Sequence, residues 1–226
     1  MLVLGDYEMM KLFADRVEAG RLLASALASA ISKNAIVLAI PRGGVVVGFE
    51  VAHALGIPLD VIIPRKIGAP DNPELAIGAM TEDGTSIFDY WLIEYLQVSE
   101  DYIKKESERQ RLEIERRLQL YRGDAPYPSL KNREVIIVDD GIATGSTMRA
   151  ALASVRRRGA KAVVIAVPVG PPSTIRELKK EADRVVCLHT TESFSAIGQF
   201  YENFTQTMDE EVIRLLKLNK QELKSS

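Results

Sequence analysis

The sequence predicts an α/β fold, a parallel sheet flanked by helices on both faces. Three observations predict it. Short apolar runs of strand length recur at 35–40, 59–63, 135–138, 162–167 and 185–188, and most lead into a segment with helical spacing. Strands that alternate with helices pair in parallel, because each connection crosses back over the sheet. The 226 residues are 46% apolar, enough for a core on both sides of such a sheet.

The elements follow in order. Residues 9–31 are rich in Ala and Leu, and Phe13, Val17, Ala24, Leu27 and Ile31 share one helical face. Strand 35–40 is broken by Pro41-Arg42-Gly43-Gly44, after which 45–55 reads as a helix ending at Gly56. The second strand is 59–63. Residues 65–84 are rich in Gly, Pro and Asp and read as a loop. Within it 75–80 has strand character and can pair with 85–90 as a hairpin around Asp83-Gly84. Residues 99–122 form a long charged helix. Its bases at 104, 105, 109, 111, 116, 117 and 122 are offset by acids at 101, 106, 108, 113 and 115, which is the pattern of a solvated surface helix. A proline-containing link, 124–133, leads to strand 135–138 and helix 148–157. Strand 162–167, helix 173–181 and strand 185–188 come next, and 194–218 supplies aromatic residues and a final helix. The chain has no repeats and no low-complexity tract.

The chemistry concentrates at 135–147, VIIVDDGIATGST. A buried strand ends in two adjacent carboxylates, Asp139 and Asp140, and a tight loop then opens a helix. A helix N-terminus offers unpaired N–H groups and the positive end of the helix dipole, so it suits a phosphate. Gly145 lets the backbone approach an anion, and the hydroxyls of Thr144, Ser146 and Thr147 add donors. The carboxylates suit the two hydroxyls of a ribose or a hydrated Mg2+. The GxxxxGK[ST] loop of nucleotide triphosphatases is excluded because no lysine lies here, and the GxGxxG dinucleotide fingerprint is missing. Ile40-Pro41-Arg42-Gly43-Gly44 also ends a buried strand and opens a helix. Its backbone amides and guanidinium suit a second anion.

The 135–147 run resembles the phosphoribosyl-diphosphate (PRPP) signature of the type I phosphoribosyltransferases, which passes from an apolar strand through an acidic pair to a Thr-Gly-x-Thr phosphate loop. Asp15, Arg16, Ala19 and Gly20 resemble the DRxxAGxxLA pattern near the start of several of these enzymes. The resemblance covers most of the chain. It implies one domain over 1–226, with a lid at 65–84, the charged helix 99–122 as an insertion, and a small hood over the strand C-terminal ends from about 188–206. The activity it implies is transfer of ribose 5-phosphate from PRPP to a small nitrogenous base, with release of diphosphate. Asp139 and Asp140 would hold the ribose hydroxyls, directly or through Mg2+ and its water. Ala143, Thr144, Gly145, Ser146 and Thr147 would hold the 5′-phosphate. Arg42, Gly43 and Gly44 would hold the diphosphate, in a loop that carries a non-proline cis peptide in many relatives. Arg65 and Lys66 would close over it, with Gly68 and Gly78 as hinges. Phe194, just past the last strand, would stack on the base, whereas Phe200, Tyr201 and Phe204 read as core. A homo-oligomer, a dimer, is the expected assembly.

Two departures from the pattern narrow the acceptor. Relatives acting on 6-oxopurines place a carboxylate before the Thr-Gly pair, where this chain has Ala143. They also carry a lysine after the next strand, where this chain reads VPVGPP. Hypoxanthine and guanine are therefore poor candidates. A catalytically inactive PRPP- or nucleotide-binding regulator is the alternative, and a hydrolase using water as acceptor is a third reading. A net charge of -2 and a pI near 5.9 give no general pull toward nucleic acid. Cys187 is the one cysteine and reads as a buried strand residue. No run approaches a membrane span or a secretory leader, so a reducing cytoplasm is the expected setting. His53 and His189 read as structural or solvated, and Trp91 has no assignable role.

Overall fold

A computed structural model describes residues 11–225. Five parallel strands form the central sheet in the order β2-β1-β6-β7-β8: β1 (Ile36–Ala39), β2 (Leu59–Val61), β6 (Glu134–Val138), β7 (Ala162–Gly170) and β8 (Arg184–Thr190). Because side chains alternate along a strand, each strand supplies two faces. Val37, Ala39, Ile136, Val138, Val164 and Ala166 pack against α1 (Arg16–Leu27), α2 (Gly43–Leu55) and α7 (Asp209–Ser225). Ile36, Leu38, Val135, Ile137, Val163 and Ile165 pack against α5 (Ser146–Arg157) and α6 (Pro172–Glu181). The strand order reverses between β1 and β6. Loops leaving their C-terminal ends diverge there and leave a crevice, the usual ligand position in open α/β sheets.

The predicted helix at 9–31 is shorter. Asp15 accepts from the Glu18 N–H and starts α1 at Arg16, so Phe13 lies outside the helix and bridges to Tyr201. Residues 9 and 10 lie outside the described residues. The helix predicted to stop at Gly56 does so, with Gly56 in the left-handed region at φ 62°.

Residues 65–84 are not a plain loop. They contain β3 (Arg65–Gly68) and β4 (Ala76–Met80), and with β5 (Ser86–Phe88) these make a second, antiparallel sheet in the order β3-β4-β5. The predicted hairpin is present, with Ala79 opposite Ile87. Ile67 and Ile77 are fully buried, so much of the expected lid is anchored structure and only 69–75 lies between strands. A short helix, α3 (Tyr90–Tyr95), follows. The charged helix α4 (Glu100–Arg122) is capped by Ser99, whose side chain accepts from the Tyr102 N–H. It is not merely a solvated face, since Gln110, Ile114 and Tyr121 are buried. Arg65 Nε donates to Gln110 Oε1 at 2.9 Å, and the Tyr102 hydroxyl to the Gly68 carbonyl at 3.0 Å.

Candidate active site

The acid pair ends β6 at the crevice. The Ile40 N–H donates to the Val138 carbonyl at 2.9 Å, which brings the loop after β1 against the loop after β6. The fit is close. A methyl group built on Gly43 would lie 2.0 Å from Asp140 Oδ2, and one on Gly44 would lie 2.9 Å from the Asp139 Cα. The peptide between Pro41 and Arg42 is cis, as the relatives suggest. These two positions need glycine because the acidic loop occupies the space of a Cβ.

Asp140 is buried and its Oδ2 accepts from Arg16 Nε at 2.7 Å. Arg16 also donates to the Thr205 carbonyl at 2.8 Å and lies 3.8 Å above the Phe204 ring. The Tyr201 hydroxyl donates to the Asp140 backbone carbonyl at 2.6 Å. Arg16 and Tyr201 thereby tie the acid pair to the segment after β8. Asp139 Oδ1 accepts from the Asp140 N–H at 2.8 Å. Burial, and then the neighbouring Asp140 carboxylate, hold the Asp139 carboxyl well above the usual range.

The loop 141–145 follows the acid pair. The Ile142 N–H donates to the Val169 carbonyl at 2.9 Å, fixing the loop to β7. Gly145 sits at φ 80°, a left-handed position that a β-carbon disfavours, and it starts α5 with no side-chain cap. Helices α1, α3 and α4 use a carboxylate or hydroxyl as a cap, whereas α5, like α2 and α6, starts without a side-chain cap. The Thr174 hydroxyl donates to the Ala143 carbonyl at 2.8 Å, and Arg149 to the Thr144 carbonyl at 3.1 Å.

A cleft of about 620 Å³ collects Asp139, Ala143, Thr144, Gly145, Ser146 and Thr147 on one side. Lys66, Glu74, Leu92 and Asp89 come from the second sheet and α3, and Ile197 from the hood position. Lys66 Nζ donates to Glu74 Oε2 at 2.6 Å within this second wall of the cleft. Several predicted residues do not line it, among them Gly44 and Asp140, whose Oδ2 is held by Arg16. Arg65 is next to Lys66 on a strand, so it points the other way, onto α4. Arg42 occupies the N-cap position of α2 without capping it, its guanidinium 3.9 Å from Asp209, and Gly43 lies behind the carboxylate of Asp140. Phe194 packs on Phe200 with ring centroids 5.1 Å apart, and Ile197 takes the cleft position expected of it. Phe200 and Tyr201 are core, as their spacing suggests, though Tyr201 also makes a polar contact with the acid pair. Arg16 carried a sequence signal in the DRxxAG run. Thr174 and Arg149 carried none, being ordinary polar residues of helices.

The phosphoribosyl transferase domain model matches residues 14–205. A Mycobacterium tuberculosis H37Rv protein named “Putative phosphoribosyl transferase Rv0571c” is 45% identical over 207 residues, which is 92% of this chain and 47% of that one. A protein of strain CDC 1551 matches equally. The chain thus spans about half the length of these curated relatives. The crystal structure of TT1426 from Thermus thermophilus is 42% identical, with a TM-score of 0.77 over 90% of this chain and 97% of that one. No helix among the described residues is long and apolar enough to cross a membrane. A domain match over most of the length, laid on a parallel sheet whose switch point carries the acid pair, makes this chain a member of the type I phosphoribosyltransferase family.

Proposed function

We propose that the chain transfers ribose 5-phosphate from PRPP to a nitrogen nucleophile and releases diphosphate. The observation that carries this reading is the uncapped start of α5 sharing one cleft with Asp139 and, opposite, Lys66. The N–H groups of the α5 start and the hydroxyls of Thr144, Ser146 and Thr147 bind the 5′-phosphate. Asp139 and Asp140 accept from the ribose hydroxyls and favour positive charge on the ribose as the leaving bond stretches. Gly43 and Gly44 present α2's N-terminal amides to the diphosphate, and Lys66 leaves Glu74 to neutralise it. The protein's work is positional and electrostatic.

Mg2+ fits this donor set. Among the described residues no group of three or more His, Cys, Asp or Glu forms a metal cage, and Mg2+ needs none, because it takes one or two carboxylates and completes its shell with water and substrate oxygens. Asp139 and Asp140 would hold it, and when bound it would offset the charge of the diphosphate.

The acceptor is a small nitrogenous base other than a 6-oxopurine. Ala143 supplies no carboxylate beside the cleft, and 167–172 supplies no lysine. Leu75, Leu92 and Ile197 offer an apolar wall, with Asp89 to accept from an N–H. Incubation with Mg2+, PRPP and a panel of bases should release diphosphate with matching formation of a nucleoside monophosphate, with hypoxanthine and guanine among the poorest acceptors. Calorimetry should show weaker PRPP binding in Gly145→Val, because its side chain meets Thr174 and strains a left-handed backbone. Unchanged affinity in that variant would refute the phosphate assignment.

A further inference from the structure

We infer that β5 and α3 form a surface on which a second copy of this chain docks about a two-fold axis. Tyr90, Trp91 and Tyr95 are 74%, 71% and 71% exposed, and Ile87 and Leu96 are also exposed. These five large side chains fall within ten residues. The rings of Trp91 and Tyr95 stack on each other at 5.3 Å with their planes 6° apart, so they present one continuous face. Helix α3 has only six residues and buries none of them. So short a helix has little stability of its own, and packing has to hold it. Exposed Trp and Tyr beside each other are the composition of an interface centre.

The strand beside this patch selects the partner. β5 is the outer strand of its sheet and is bonded on one side. Thr81 donates to the Thr85 carbonyl and Asp89 to the Ile77 carbonyl, so Thr85, Ile87 and Asp89 turn their backbone groups toward β4. Ser86 and Phe88 therefore turn theirs outward. A second copy placed antiparallel about Ile87 sets Ser86 opposite Phe88 in both directions, and each such pair exchanges two N–H···O=C bonds. Ile87 meets its own counterpart at the axis. Asp89 is the one charged residue between 84 and 93, and in this register it faces Thr85 of the other copy, so no like charges meet. Identical strands make this pairing twice about one axis, so the symmetric contact closes on itself and covers both exposed edges. Leu92 of α3, and Asp89 at its N-cap, line the proposed catalytic cleft. Docking would therefore brace the acceptor wall from outside.

Trp91 is the chain's one tryptophan, which makes the test direct. Sedimentation velocity of the wild-type chain at micromolar concentrations should show a dimer. Trp91 emission should move to the blue as concentration rises. Trp91→Glu and Tyr95→Glu should sediment as monomers with unchanged circular dichroism, since neither side chain is buried, and Tyr95→Glu should keep the red emission of an exposed indole. An Ile87→Cys variant in a Cys187→Ser background should cross-link to a dimer under mild oxidation. A monomeric wild type, a dimer that survives both glutamate substitutions, or a dimeric Ile87→Cys chain that does not cross-link would each overturn the proposal.

Discussion

Asp139 carries an electrostatic cost that its position imposes. Burial and the adjacent Asp140 raise its pKa, so the folded chain keeps the proton to higher pH than the unfolded chain, where an aspartate titrates near ~3.9. Between those two values the native state binds more protons, and stability falls as pH rises through that window. The penalty grows with pH across that window and is already present well above the ordinary aspartate range. Asp139→Asn removes the charge and keeps an oxygen for the Asp140 N–H. Its melting temperature should exceed that of the wild type at pH 7, and the gap should close as the pH falls toward the ordinary aspartate range. Calorimetric scans across pH check this, and equal melting at pH 7 would contradict the assigned cost. Transfer activity should be lost in the same variant, as expected if the charge is kept for function. The acid pair was legible in the sequence because two adjacent carboxylates at a strand tip have few structural uses. Its supports were less so: Arg16 shows in the DRxxAG run but not its partner, and Arg16 and Tyr201 reach Asp140 from 124 and 61 residues away, contacts that no local pattern encodes.

At the scale of elements, the central sheet was legible because buried parallel strands are continuous apolar runs. The second sheet was half legible. Its hairpin shows through Asp83-Gly84, but β3 begins with Arg65-Lys66 and has a single large apolar residue, Ile67. Nothing in that run resembles a buried strand. The same segment shows why adjacent basic residues cannot act together on one ligand. On a strand they point apart, Lys66 into the cleft and Arg65 onto α4. This division limits what can move. Amide exchange of Ile67 and of β4 should be slow without ligand, since buried residues and paired strands hold them, whereas 70–75 should exchange fast. Mg2+ and PRPP should slow 70–75 as the segment closes over the bound diphosphate. Lys66→Ala should lower turnover more than PRPP affinity. Uniform fast exchange across 65–80 would show that the second sheet does not form, and uniform slow exchange would show no moving part.

At the scale of the whole molecule, a buried ionic group joins the second sheet and α4 to the central fold. Arg122, at the end of α4, lies 3.4 Å from Asp60 on β2, and Arg158, just past α5, lies 3.4 Å from Glu82 after β4. The Tyr127 ring takes both guanidinium groups, at 3.9 Å and 4.9 Å. Glu82 also accepts from the Ile63 N–H at 3.2 Å. The pairs join residues far apart in sequence, which is why α4 reads as solvated when its own charges are balanced against each other. Burial pushes the Asp60 and Glu82 carboxyls up despite their arginines, so the pairs add little net stability relative to apolar packing. Breaking one is a different matter, because it strands a buried charge. Arg158→Met leaves Glu82 without its cation and should cost about 3–5 kcal/mol. Glu82→Gln alone should cost much less, since the amide oxygen still accepts from Ile63. The two substitutions together should recover most of the Arg158→Met loss. Urea unfolding of the three variants measures this directly. Additive losses in the double variant would show that the two side chains act separately, and that the second sheet is held by its apolar contacts alone.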